Sequence, residues 1–298
     1  MIAVMDAATA LIESIDELPP LPAVAARVMT MVEDDTTSAS NLAQVLATDQ
    51  ALTAKLIRIS NSAYYGFARQ VSTVREAVTL LGFRQVREVA IATSLMNAFK
   101  RPIPADDGFD LDLFWGHSVA VAVAAEAVAK KTRAARPQDA FTAGILHDIG
   151  RLVLRMVRPR EFAAAVAIAR SGAMSLNEAE IHTTGYSHED LGRALGAKWK
   201  FPGHLLDAVG AHHDESRSPE ADGIAGVIAR CHRFVLHYGL FCGYDLGEGE
   251  SGPLPEDLTP IEAMCGGIDI VLDRAFAFIE AASGIPERWY QAAGAARS

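Results

Sequence analysis

The sequence predicts an all-α protein made of two packed helical subdomains. Three observations carry this reading. Alanine and leucine recur at spacings of three and four, the period of a helix face, while alternating β-branched runs are scarce. Helix-start signals are frequent: Asp49, Thr73 with Glu76, Ser175 with Glu178, and Ser187. One stretch, KRPIPADDGFD at 100–110, concentrates proline, glycine and aspartate, and marks a boundary between residues 1–105 and 106–298.

The elements follow in order. In 21–35, Pro22 suits a first helical turn, and Val24, Val28, Met31 and Val32 form one stripe. Asp49 caps a helix whose Leu52, Leu56 and Ile59 face inward. Thr73 opens a helix that Gly82 ends, and FRQVREVAIATSLMNAF follows it. NSAYYG (61–66) puts Asn61, Tyr64 and Tyr65 at a helix end, where an aromatic pair reads as a packing plug between the two halves. Arg84, Arg87 and Lys100 read as a solvated face of a helix that also bears Glu88. After the boundary the helices lengthen, to 113–131, 138–157 and 160–171. Shorter ones begin at the Ser175 and Ser187 caps and at Pro202. Helices over 222–239 and 260–282 flank a glycine- and acid-rich loop, with 241–260 as its extent.

Composition narrows the function classes. A formal charge of −10 repels a phosphate backbone, so nucleic acid and membrane-surface partners are not expected. The first twenty residues lack the basic and apolar regions of a signal peptide. No run approaches the ~18 apolar residues of a membrane span; 118–129 comes nearest and carries Glu126. Three cysteines (Cys231, Cys242 and Cys265) without a CxxC spacing read as reduced thiols. A cytoplasmic protein is expected.

The chemistry lies in the nine histidines. His117 falls near the start of one long helix, and His147 with Asp148 lies inside the next, in the apolar stretch GILHDIGRL. His188 opens a short helix, His212 and His213 close another, and His232 lies on a late one. Imidazole and carboxylate together suit zinc, iron or manganese, and helical bundles build metal sites from side chains on facing helices. A cation would also remove the cost of burying Asp148. His182, His204 and His237 read as partly exposed residues near helix ends.

The ordered series His, His-Asp, His, His-His resembles the HD superfamily of metal-dependent phosphohydrolases. LHDIGR is similar to the LHDIGK of members that cleave cyclic dinucleotides. A closer resemblance covers nearly the whole chain. DQALTAKLIRISNSAYYG, STVREAVTLLGFRQVREVAI and ALGAKWKFPGHLLDAVGAHH resemble the HDOD family, the HD-related output domains of bacterial signalling.

This second resemblance implies an N-terminal helical half packed on an HD-like half. It also implies a regulatory output module that acts through signalling proteins or a small nucleotide-type ligand. The first implies a divalent metal (Fe, Mn, Zn or Mg) held by His117, His147, Asp148, His188, His212 and His213. His232 stands where the superfamily carries a late aspartate. Were the chain a phosphohydrolase, a nucleotide-type phosphodiester would be its substrate, Asp148 would act at the metal and Arg151 would contact phosphate.

Overall fold

The computed structural model describes residues 2–14, 18–31, 39–100, 108–214, 216–240 and 253–283. Among these there is no strand, and the helices run α1 (Ile2–Ser14), α2 (Ala23–Thr30), α3 (Ala39–Ala47), α4 (Gln50–Ser60), α5 (Val74–Leu81) and α6 (Phe83–Ala98), followed by α7 (Leu111–Thr132), α8 (Pro137–Leu146), α9 (Ile149–Val157), α10 (Pro159–Arg170), α11 (Leu176–Thr184), α12 (His188–Lys198), α13 (Gly203–Val209), α14 (Pro219–His237), α15 (Thr259–Cys265) and α16 (Ile268–Ser283). Most of the boundary stretch at 100–110, most of the 241–260 loop, Val32 with the end of the 21–35 helix, and Cys242 lie outside the described residues.

The caps form where the sequence places them. Asp49 accepts a hydrogen bond from the Leu52 amide at 2.9 Å. Ser175 with Glu178 and Ser187 with Asp190 make reciprocal capping boxes. Thr73 accepts from the Glu76 amide, but the Glu76 carboxylate accepts from the Ser72 amide rather than from that of Thr73.

α7 is the axis of the fold. Its alanines and valines are buried almost throughout, and α8, α14, α15 and α16 pack around it. It is long and apolar enough to cross a membrane by length and composition, yet 72% of its apolar window is buried in the protein, as in a core helix. Small residues permit close approach: a Cβ on Gly144 would lie 2.4 Å from the Ala122 Cα, so α7 and α8 cross almost backbone to backbone. Likewise a Cβ on Gly150 would lie 1.9 Å from the His188 carbonyl oxygen, which fixes how α9 meets α12.

Helices α2 to α6 pack on one another, α6 against α8 and α4 against α16 join them to the rest, and α1 packs on α12. Tyr64 is a main plug. It is 6% exposed, its ring meets Phe141 and Phe278 edge-on, and its hydroxyl donates to Glu126 at 3.0 Å. Asn61 binds both backbone groups of Val71 and so shapes the turn that carries the tyrosines.

Four details depart from the sequence reading. The 138–157 helix is two helices, because the chain turns at Asp148 (φ −97°, ψ 4°). The 260–282 helix also divides, at Gly266 and Gly267, both with positive φ. Arg87 is not solvated: it is 12% exposed and pairs with the buried Glu88 and with Asp139 across the helix contact. His237 does close α14, but it is buried, at 8% exposure.

Candidate metal centre

The turn at Asp148 is what lets the adjacent His147 and Asp148 face one point. On an unbroken helix adjacent residues point about 100° apart. Asp148 instead sits in the bridge region of backbone space, where helices change direction. The result brings His147 Nε2 to 3.3 Å from Asp148 Oδ2. Both side chains are fully buried.

Around this pair the structure gathers all the histidines of the ordered series, and His232 with them. His117 from α7, His147 and His232 from α14 meet on the Oδ2 side of Asp148. His188 from the start of α12, with His212 and His213 from the turn after α13, meets on the Oδ1 side. Within each group the candidate ligand atoms lie within 4.8 Å of one another, and Asp148 belongs to both.

Hydrogen bonds to the outer ring nitrogens aim several of these rings. A carbonyl oxygen only accepts, so an imidazole nitrogen beside one must donate. His117 Nδ1 donates to the Leu240 carbonyl at 2.6 Å, His147 Nδ1 to Gly144 at 2.7 Å and His212 Nδ1 to Val209 at 2.9 Å. Burial keeps these rings neutral where it dominates: it pushes His117 down to about 3, and lowers His212, His213 and His232 as well. With Nδ1 donating outward, the inner nitrogens of neutral His117 and His212 carry lone pairs.

The inner nitrogens of both groups crowd together. His117 Nε2 and His147 Nε2 are 3.1 Å apart, and His232 Nδ1 is 3.2 and 3.1 Å from them. His188 Nε2 is 3.0 Å from His212 Nε2 and 3.1 Å from His213 Nε2. Where both nitrogens of a pair lack a proton, as His117 and its neutral neighbours do, such a distance repels rather than bonds. One ion at the usual ~2.0–2.1 Å from each would hold two nitrogens roughly 3.0–3.4 Å apart. Asp148 Oδ1 is also buried, and faces His188 Nε2 at 3.2 Å and His212 Nε2 at 3.4 Å. This donor set fits a divalent metal on each side of a shared carboxylate.

Outer contacts stiffen the arrangement. Arg151, 2% exposed, donates from Nη1 to Asp148 Oδ2 at 2.6 Å and from Nε to Glu180 Oε1 at 3.1 Å. The guanidinium thus spans two buried carboxylates. Glu180 in turn accepts from His188 Nδ1 at 2.5 Å and from the His188 amide at 3.0 Å. Burial and Arg151 oppose a charge on His188, but Glu180 and Asp148 outweigh them and raise it to about 9. Burial likewise opposes the charge on Asp148, yet Arg151 and His147 hold its carboxyl well below the usual range. A metal entering here would displace a proton from His188.

Glu180 is the residue that sequence reasoning did not single out. Its signal was its place beside Leu176 and Ala179 on the buried face of α11. His182 and His204 lie outside both groups of ligands.

Fold and site together define an all-helical protein of the HD-related class, with a buried His/Asp cluster able to bind metal. The HDOD domain profile matches residues 18–215, more than half of the chain, and the chain belongs to the HDOD family. An uncharacterized protein of Treponema pallidum (strain Nichols) is 22% identical over 214 residues, 72% of this chain, which spans only 41% of that relative. Among solved structures, an HDOD-domain protein of unknown function from Geobacter sulfurreducens superposes with a TM-score of 0.73 at 24% identity, over 99% of this chain and 98% of its own. A candidate phosphohydrolase from Shewanella amazonensis SB2B gives 0.67 at 26% identity, over 97% of both chains. A candidate signal transduction protein from Marinobacter aquaeolei VT8 gives 0.62 at 25% identity, over 95% of this chain and 60% of that one.

Proposed function

We propose that the protein is a cytoplasmic signalling output module whose HD-like half (106–298) holds divalent metal and whose N-terminal half (1–105) acts with it as one unit. Its partners are signalling proteins or a small nucleotide-type ligand. One observation carries this reading: the donor cluster is enclosed. His117, His147, Asp148, His188 and His212 are 0% exposed and His232 is 1% exposed, so only His213 is open even in part. An ion so enclosed would tie together α7, the α8–α9 turn, the start of α12, the turn after α13, and α14. Its binding free energy would then become a change in the rigidity of the module. A nitrogen-rich set suits zinc, iron or manganese, and suits magnesium poorly.

A second reading, a phosphohydrolase on a nucleotide-type phosphodiester, is favoured by the ligand groups on both sides of Asp148 and by the likeness to the Shewanella protein. A bound metal would supply Lewis-acid chemistry to a phosphoryl oxygen and its water. Arg151 would act there mainly by fixing Asp148 and Glu180, since its guanidinium already bonds both.

Metal analysis of anaerobically purified protein, beside His147→Ala and Asp148→Ala, tests the shared premise. Stoichiometric metal that these variants lose, without hydrolysis of a generic phosphodiester in manganese or iron, supports the signalling module. Hydrolysis abolished by the same variants would overturn it in favour of the enzyme.

A further inference from the structure

The two groups of ligands match in donor count, three imidazoles and one shared carboxylate each, but not in how those donors are supported. We propose that they bind ions with unequal strength: His188, His212 and His213 hold one tightly, while His117, His147 and His232 form an exchangeable second site. The inference rests on reading the cluster as a metal centre. It adds which ion stays and which one comes and goes.

Three independent observations point the same way. First, the shared carboxylate is divided unevenly. Arg151 already binds Asp148 Oδ2, the oxygen that faces His117 and His147. Oδ1 faces His188 Nε2 at 3.2 Å and His212 Nε2 at 3.4 Å, and Arg151 does not bind it, so it is the oxygen that a cation held by those rings would meet.

Second, the outer partners differ in charge. His188 leans on the Glu180 carboxylate, which makes its inner nitrogen a stronger donor. The neighbouring turn is pinned by Glu189, which accepts from the His213 amide at 3.1 Å. On the other side His117 and His147 have only neutral carbonyl oxygens behind them.

Third, His232 is unsupported. It turns Nδ1 toward the cluster, and its Nε2 is buried without any partner. Nothing therefore fixes its tautomer or its ring orientation. A ligand without an outer partner typically costs about 10–100-fold in metal affinity.

The test is a cobalt(II) titration of the metal-free full-length protein, followed by its visible absorption and checked by metal analysis after dialysis. Wild type should bind two equivalents in steps separated by ~10-fold or more. His232→Ala should keep the first step and lose the second. His213→Ala, at the one partly exposed ligand of the cluster, should weaken the first step until the two merge. Two equivalents of equal affinity would overturn the proposal, as would loss of the tight step in His232→Ala. A single equivalent in wild type that His232→Ala leaves untouched would overturn it as well. Those three outcomes leave the metal centre standing. No binding at all in wild type would remove the metal reading itself.

Discussion

Glu180 and His188 form a buried carboxylate–imidazole pair, Oε2 to Nδ1 at 2.5 Å, across the turn between α11 and α12. The same carboxylate takes the Arg151 guanidinium on its other oxygen. Removing it would strand a buried cation and a ring without an orienting partner. We predict that Glu180→Ala costs about 3–5 kcal/mol in metal-free protein, the usual range for breaking a buried ion pair. Glu180→Gln keeps the volume and one acceptor and should cost clearly less. Denaturant unfolding, with the slope compared among variants, measures both. Equal stabilities within about 1 kcal/mol of wild type would sink the claim.

Gly150 decides whether the centre can close. Its missing side chain lets the α9 backbone lie against the His188 carbonyl, where a Cβ would fall 1.9 Å away. The obstacle is backbone, so neighbouring rotamers cannot relieve it. We predict that Gly150→Ala destabilises by about 3 kcal/mol or more, at the upper end of overpacking, and lowers metal binding with it. Gly203→Ala is the control. That glycine opens α13 with nothing within 4 Å of a Cβ, and alanine there should be neutral or slightly stabilising. Thermal melts of the two variants side by side read the contrast.

Six of the seven converging donors are those of the ordered series His, His-Asp, His, His-His, because ligand residue types are rare and their spacing along helices is informative; the seventh, His232, comes only from the resemblance, as the residue where the superfamily carries a late aspartate. The caps at Asp49, Ser175 and Ser187 were legible for the same reason: each is a local device with a local signature. What escaped was non-local or subtractive. The helix break at His147 and Asp148 has no proline or glycine at the turn itself, so periodicity ran straight through it. Glu180 looks like any helical glutamate until Arg151 and His188 arrive from other segments. Arg87 looked solvated because its partner Asp139 belongs to α8, distant in sequence. Gly266 and Gly267 were visible, but a glycine in an apolar helical pattern breaks it only when the packing demands the turn.

Tyr64 couples the N-terminal helices to α7, α8 and α16, and its two functions separate by substitution. Its ring contacts Phe141 and Phe278 and lies under the Arg274 guanidinium, 4.7 Å from centroid to carbon. Its hydroxyl donates to Glu126, which Arg274 also binds at 3.0 Å. We predict a loss of about 1.5 kcal/mol in Tyr64→Phe, from the hydroxyl bond alone. Tyr64→Ala should lose about 3–5 kcal/mol, since the plug and its aromatic contacts go as well. Similar losses in the two variants would mean that the ring carries no packing.

Glu88 should make stability depend on pH. It is 1% exposed; Arg87 occupies one oxygen, and the other is buried without a partner. Burial raises its pKa from the ordinary 4.5 to about 8, with Arg87 opposing and Asp139 and Glu126 adding to the rise. The native state therefore binds the proton more tightly than the unfolded chain does. The stability that this proton contributes is full below pH 4.5 and is lost as pH climbs through about 8. We predict that Glu88→Gln, which is neutral at every pH, gains on wild type across that window by a few kcal/mol, and that the difference shrinks toward acid. Unfolding curves for the pair at several pH values between 5 and 8.5 measure it. A constant difference across the window would show that Glu88 is already ionised in the fold, held there by Arg87.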